Sequence, residues 1–409
     1  MLIIAGPKSV IISVLAMPMN VLIAGAGVAG LEGALALRAV GEDRVSVQLV
    51  SPEDEFVYRP LSVAEPFGAG EARRFPVRQL VEDSGAALTQ AAVHGVDPDR
   101  HTVETSDGEL SYDVLLLALG ARSVPAVPGA VTFRGPGDEA ALGDVLQAAR
   151  AGAARRLVFT MPAGSSWPLP LYELALLTAV HLADSGAETQ LELVTPEPRP
   201  LQVFGDAASN AIAELLKRHR IVLRTDTIPG AFENDVLRFI GTGEVEADRV
   251  VALPRIEGPR LPGVPHDSNG FVPIDEHGRV RELDDVYAAG DLTNFPIKQG
   301  GLAAQQADAA AEAIAAAAGA TITPRPFTPV LRGLLLTGLT PRYIRTEVGS
   351  RESELDTEPL WWPPGKIVGR HLAPFLASHL NVSQSPPSSD AVEVEVEVDR
   401  EQSGEWSSI

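Results

Sequence analysis

The chain of 409 residues contains no cysteine. Disulfides, thiolate metal sites and cysteine redox chemistry are therefore excluded. Basic residues are in deficit, 33 Lys and Arg against 54 Asp and Glu, for a formal charge of −21. That balance argues against a nucleic acid partner. Part of the acid excess lies beyond Asp390, where residues 392–398 alternate Val and Glu. The eight histidines show no metal-ligand spacing, and single ones such as His94 and His371 read as solvated or structural. A long uninterrupted hydrophobic run is missing too. Residues 1–20 are apolar but interrupted, without a basic start and too short to span a membrane. They are read as an over-long translation start, with Met17 or Met19 as the initiator. What remains is ordinary: 45% hydrophobic and 21% charged residues, in a chain long enough for two or three domains.

The most informative stretch is 21–38, VLIAGAGVAGLEGALALR. Val21 to Ala24 suit a strand buried on both faces. Gly25, Gly27 and Gly30 follow in G-x-G-x-x-G spacing, and a helix with Leu and Ala at helical spacing comes next. Strand, glycine turn and helix in that order form a dinucleotide-binding fingerprint. Gly25 permits the turn, Gly27 gives a pyrophosphate room to approach, and Gly30 lets helix and strand pack. The helix start, with Val28 and Ala29, presents free N–H groups to the phosphates.

Far downstream, residues 285–307 read DVYAAGDLTNFPIKQGGLAAQQA. A short strand ends at Gly290-Asp291, and Gly300-Gly301 opens an Ala-rich helix. This pair of fingerprints resembles that of the FAD-dependent pyridine nucleotide-disulfide reductase-like superfamily, and the chain is most similar to its sulfide:quinone reductase-like subgroup. The resemblance implies FAD as the cofactor. It implies that Asp291 holds the ribityl chain and that the helix near Gly301-Leu302 points its positive end at the flavin pyrimidine ring. Lys298 is the candidate catalytic cation beside that ring.

The same resemblance places other FAD contacts. The second strand, 44–51, ends in Ser51, where relatives carry an acid for the adenosine ribose; Ser51 or Glu53 would serve here. FVYRPL at 56–61 resembles a loop that runs close to the flavin in sulfide:quinone reductases, with Arg59 and Pro60 as contacts. Residues 91–102 and 109–112 read as a hairpin turning at Asp107-Gly108, with Val93 as a contact. The strand 114–120, VLLLALG, supplies Ala118 and Gly120 on the adenine side.

Residues 155–224 repeat the β-α-β pattern, which predicts a second nucleotide-type domain. Its turn, Met161 to Pro170, keeps only Gly164 of the expected glycines and contains three prolines and Trp167. Proline lacks the N–H that a pyrophosphate needs, so NAD(P)H is expected to bind poorly. Trp167 and Tyr172 are candidates for a substrate pocket, and Glu173 sits where many relatives have an acid. Sulfide:quinone reductase-like proteins often carry a catalytic cysteine near such a turn; here serines stand instead. The segment 366–380 reads as an amphipathic helix with Lys366, Arg370 and His371 as its polar members.

The predicted fold is α/β: two Rossmann-like three-layer domains plus a small C-terminal domain. The expected division is an extension over 1–19, an FAD domain over 20–130 and 246–322, an inserted NAD(P)-like domain over 131–245, an interface domain over 323–382 and a disordered acidic tail over 383–409. The expected function is an FAD-dependent oxidoreductase passing electrons from a small-molecule donor to an acceptor, a quinone among the candidates, without cysteine chemistry. An NAD(P)H:acceptor reductase and a non-catalytic FAD-binding regulator are the alternatives. A cytoplasmic location, peripheral membrane contact through 361–380 and a homodimer are the remaining expectations.

Overall fold

Two parallel sheets of five strands each form the frame of the molecule. The computed structural model describes residues 17–164 and 167–380. The extension over 1–16, the serines at 165 and 166 and the acidic tail lie outside the described residues. Seven α-helices occur among those described: α1 (Val28–Gly41), α2 (Val77–Asp83), α3 (Glu139–Arg150), α4 (Leu169–Ser185), α5 (Asp206–Arg218), α6 (Gly300–Ala317) and α7 (Leu372–His379). No helix among the described residues is long and apolar enough to cross a membrane.

The first sheet runs Val286–Ala288, Val114–Leu117, Met19–Ala24, Val45–Val50, Ala87–Thr89. Its central strands are apolar without alternation because both faces are covered. Val21, Ile23 and Leu116 face a core shared with α1 and α6. Leu22, Leu115 and Leu117 face a second core, with Val96 and Val103 from an antiparallel meander. The second sheet, Val131–Thr132, Arg249–Ala252, Arg156–Thr160, Gln190–Val194, Ile221–Arg224, repeats this plan. Leu157 and Phe159 pack with residues of α3, α4 and α5. Val158 and Val250 pack with Leu237 of a second meander.

Three sequence expectations change. Residues from 246 were expected to return to the first domain, but Arg249–Ala252 pairs with Arg156–Thr160 in the second sheet. Its run Val-Val-Ala suits a strand buried on both faces in either sheet, so composition did not distinguish them. The expected hairpin is a meander, Val93–Asp97, Thr102–Thr105 and Gly108–Ser111, in which Thr105 pairs with Gly108 around Ser106-Asp107.

The third change concerns 366–380, where only Leu372–His379 is helical. Glu32 of α1 accepts the N–H groups of His371 and Leu372 at 2.8 and 2.7 Å, and so starts the helix there. Lys366 lies before it in a buried loop, not on a polar helix face.

The C-terminal sheet, Val330–Leu335, Arg342–Glu347 and Glu354–Asp356, is antiparallel. Its outer strand is docked rather than exposed. Gln305 bonds both the N–H and the carbonyl of Val330, and Gln299 bonds the carbonyl of Arg332. Two glutamines of the α6 region thereby hold this sheet against the start of that helix.

Candidate functional site

A cavity of about 640 Å³ passes between the first sheet, the start of α4 and the C-terminal sheet. That size lies within the usual range for ligand sites. Two helix N-termini open onto it. Gly25 to Ala29 lead into α1, and Lys298, Gln299 and Gly300 lead into α6.

The glycines of the first turn divide their roles. Gly25 has φ +110°, and a Cβ there would lie 2.4 Å from the Ala118 carbonyl oxygen. A Cβ on Gly30 would lie 1.8 Å from the carbonyl oxygen of Gly25. Both are required by the fold. A Cβ on Gly27 would meet nothing within 4 Å, and its φ of −81° suits any residue. Gly27 lines the cavity, so its missing side chain leaves clearance for a ligand.

Asp291 and Lys298 stand at the other helix. Asp291 lines the cavity, and burial raises its carboxyl pKa against the lowering pull of Lys298 and Arg59. Lys298 donates to the Thr293 carbonyl at 2.6 Å and lies 3.7 Å from the centre of the Phe271 ring. Burial pushes its pKa down to about 8, opposed by Asp291 and Asp267. Gln299 caps α6 by accepting from Leu302 N at 2.9 Å.

Beyond α6 the cavity is lined by Trp167, Leu169, Leu334 and Ile367, with Arg332, Glu173 and Lys366 among them. Lys366 donates to Glu173 Oε1 at 2.5 Å, and Leu336 N donates to the same oxygen at 2.8 Å. Both side chains are buried. Burial raises the Glu173 pKa and lowers that of Lys366, while their mutual attraction opposes both shifts.

The sequence candidates sort clearly against this geometry. Gly25, Gly27, Val28, Ala29, Ser51, Arg59, Pro60, Val93, Ala118, Gly120, Gly290, Asp291 and Lys298 all line the cavity. Gly30, Gly301 and Leu302 stand behind its wall, and the Leu302 N–H is already taken by Gln299. Trp167 lines the cavity as expected, whereas the Tyr172 hydroxyl turns away to Glu197. Sequence reasoning missed Gln299, Arg332 and Leu334. It noted Lys366 only as a helix polar residue. No local pattern marks these positions.

The start of α4 differs from that of α1 in its backbone donors. Pro170 has no N–H, and the Leu171 N–H is bonded to the Pro168 carbonyl at 3.0 Å. After the next strand, Glu197 is also turned inward: Tyr172 donates to it at 2.6 Å and Thr195 at 3.1 Å. Burial pushes its pKa up to about 7, outweighing these hydrogen bonds. A group whose pKa is raised on folding stabilises below its unfolded value and loses that contribution as pH rises through the folded value. The Glu197 contribution, at most about 3 kcal/mol, should therefore fade between the ordinary carboxylate range and neutrality. Thermal melts at pH 4.5 and 7.5 should show a larger alkaline loss in the parent than in Glu197→Gln. Equal losses would refute this.

The first-turn glycines, the two helix N-termini and the cavity-facing Asp291 together fit FAD. The α1 start matches a pyrophosphate, Ser51 and Glu53 match ribose hydroxyls, and Asp291 matches a ribityl chain.

Comparisons with known proteins agree with that fit. The sequence profile of the family described as pyridine nucleotide-disulphide oxidoreductase matches residues 19–159 and 173–317. Rhodocoxin reductase of Rhodococcus erythropolis is 30% identical, over 68% of this chain and 66% of that protein. Apoptosis-inducing factor 1 of Saccharomyces cerevisiae is 23% identical, over 68% of this chain and 74% of that protein. The solved sulfide:quinone oxidoreductase of Aquifex aeolicus superposes with a TM-score of 0.75 at 20% identity, covering 83% of this chain and 87% of that one. This last likeness is one of fold.

Proposed function

Because the chain belongs to the pyridine nucleotide-disulphide oxidoreductase family and is an FAD-dependent oxidoreductase, we propose that it passes electrons between a small-molecule donor other than NAD(P)H and a small acceptor of quinone type. The observation that carries this reading is the start of α4. Its prolines and the bonded Leu171 N–H leave few donors for a pyrophosphate, while Trp167, Leu169 and Pro170 line the same cavity as Asp291 and Lys298. The family profile also breaks off over residues 160–172, the stretch that contains this turn.

FAD supplies the electron-transfer chemistry when bound. The chain's residues bind and tune around it. Asp291 orients the ribityl chain. Lys298 and the α6 N-terminus supply positive potential where reduced flavin carries negative charge. Lys366 and Glu173 hold an exchangeable proton at the edge of the apolar end, where a substrate that gains or loses protons would lie. The apolar lining excludes water from that end. Without cysteine, a persulfide cycle has no nucleophile, so sulfide is not expected to be oxidised by that route.

Anaerobic stopped-flow mixing of the oxidised holoenzyme with NADH and NADPH tests the donor assignment. Slow, unsaturable bleaching is expected. Saturable bleaching with a Kd of micromolar order, about −8 kcal/mol, would overturn it and favour an NAD(P)H:acceptor reductase. Re-oxidation of the photoreduced enzyme by added naphthoquinone tests the acceptor half, and no acceleration over buffer would refute it.

A further inference from the structure

Arg332 is the third residue of the strand Val330–Leu335. On one face of that strand Leu331 and Leu335 join the core around Phe204. A Cβ on Gly333 would stand 2.5 Å from the Phe204 ring. Arg332 and Leu334 alternate to the opposite face, and both line the cavity. The Arg332 carbonyl is held by Gln299 at the start of α6. Its half-buried guanidinium makes no hydrogen bond or ion pair among the described residues. Its partner across the ladder is another cation, Arg345, which is itself paired with Glu354.

The other buried cations of the cavity are compensated, Lys366 by Glu173 and Lys298 by the Thr293 carbonyl. Arg332 alone among these three is left with a partly desolvated charge and no counter-ion, in a chain that is otherwise strongly acidic. An uncompensated buried charge is costly, and an anion brought to it relieves that cost. The planar guanidinium fork matches a carboxylate in two parallel hydrogen bonds. Leu334, Ile367, Trp167 and Leu169 give the adjoining wall an apolar character.

The geometry points to a substrate with an acidic group on an apolar body, the acid anchored by Arg332. This inference rests on the proposed small-molecule compartment at the flavin end of the cavity. It makes Arg332 a specificity-determining residue for the electron donor, which becomes an organic carboxylate, distinct from the neutral quinone-type acceptor.

The test is titration of the FAD-loaded enzyme with 2-naphthoate and with its neutral isostere 2-naphthamide, read from the flavin absorbance. The parent should bind the carboxylate at least ~10-fold more tightly. Arg332→Gln should abolish the preference while FAD content and flavin midpoint potential stay unchanged. Arg332→Lys should keep part of it. Equal affinities in the parent, or no binding of naphthoate, would overturn the inference without any variant. A preference that survives in Arg332→Gln would overturn it too, as would a shifted potential with the preference intact, which would place Arg332 against the flavin. Fast bleaching by NADH is a separate failure: it overturns the donor assignment and leaves the two-probe comparison to decide the role of Arg332.

Discussion

A Gly27→Val variant should fold like the parent and purify without FAD. The expectation comes from what a side chain would meet at each glycine of the turn. At Gly27 a Cβ enters empty space, and the backbone there is already in a conformation open to any residue. The fold therefore has no objection to valine. The ligand does, because the turn approaches a pyrophosphate with its backbone, and added carbons would hold it off. Losing that contact at a helix N-terminus should weaken FAD binding by at least ~100-fold, about 3 kcal/mol. Gly30→Val provides the contrast. Its Cβ would overlap the Gly25 carbonyl at 1.8 Å, so this variant should lose the fold itself. Far-UV circular dichroism and flavin absorbance of the two purified proteins make the comparison. A Gly27→Val protein with full flavin content would refute the assignment of that clearance to the cofactor.

Lys366→Met should produce the largest loss of stability among single changes to the charged side chains of the cavity. It leaves the Glu173 carboxyl buried with only the Leu336 N–H as partner. Breaking one side of a buried pair costs about 3–5 kcal/mol, most of it from the charge left behind. The double variant Glu173→Gln with Lys366→Met should recover much of the loss. Glutamine keeps an oxygen for Leu336 N, and no buried charge remains. Urea denaturation of the three proteins reads the effect. A Lys366→Met transition within about 0.5 kcal/mol of the parent, the range of an ordinary surface change, would show that the pair contributes little.

Legibility in the sequence followed the range of the interactions. The strands Arg156–Thr160 and Ile221–Arg224 open and close the stretch whose β-α-β pattern the sequence shows over 155–224. Both carry short apolar runs bounded by polar residues, and both settle into sheet interiors or edges by local preference. The glycine turn before α1 was equally readable, because a glycine is needed where chain meets chain, and its spacing is written in consecutive residues. The assignment of Arg249–Ala252 to one sheet or the other was not readable. Its neighbours there, Arg156–Thr160 and Val131–Thr132, are distant in the chain.

The sequence by itself determined an α/β chain with two dinucleotide-type turns, one rich in glycine and one rich in proline, and a chemistry without thiols. Those properties depend on residue type and on spacings of a few residues, so no packing was needed to read them. Only the tertiary structure decided what surrounds the flavin end. Glu173 and Lys366 are 193 residues apart in the chain, and Arg332 reaches the cavity because Gln299 and Gln305 dock a strand edge onto the start of α6. A charge meets its partner, or is left without one, only after three separate segments close on the same cavity. No periodicity along the chain encodes that outcome.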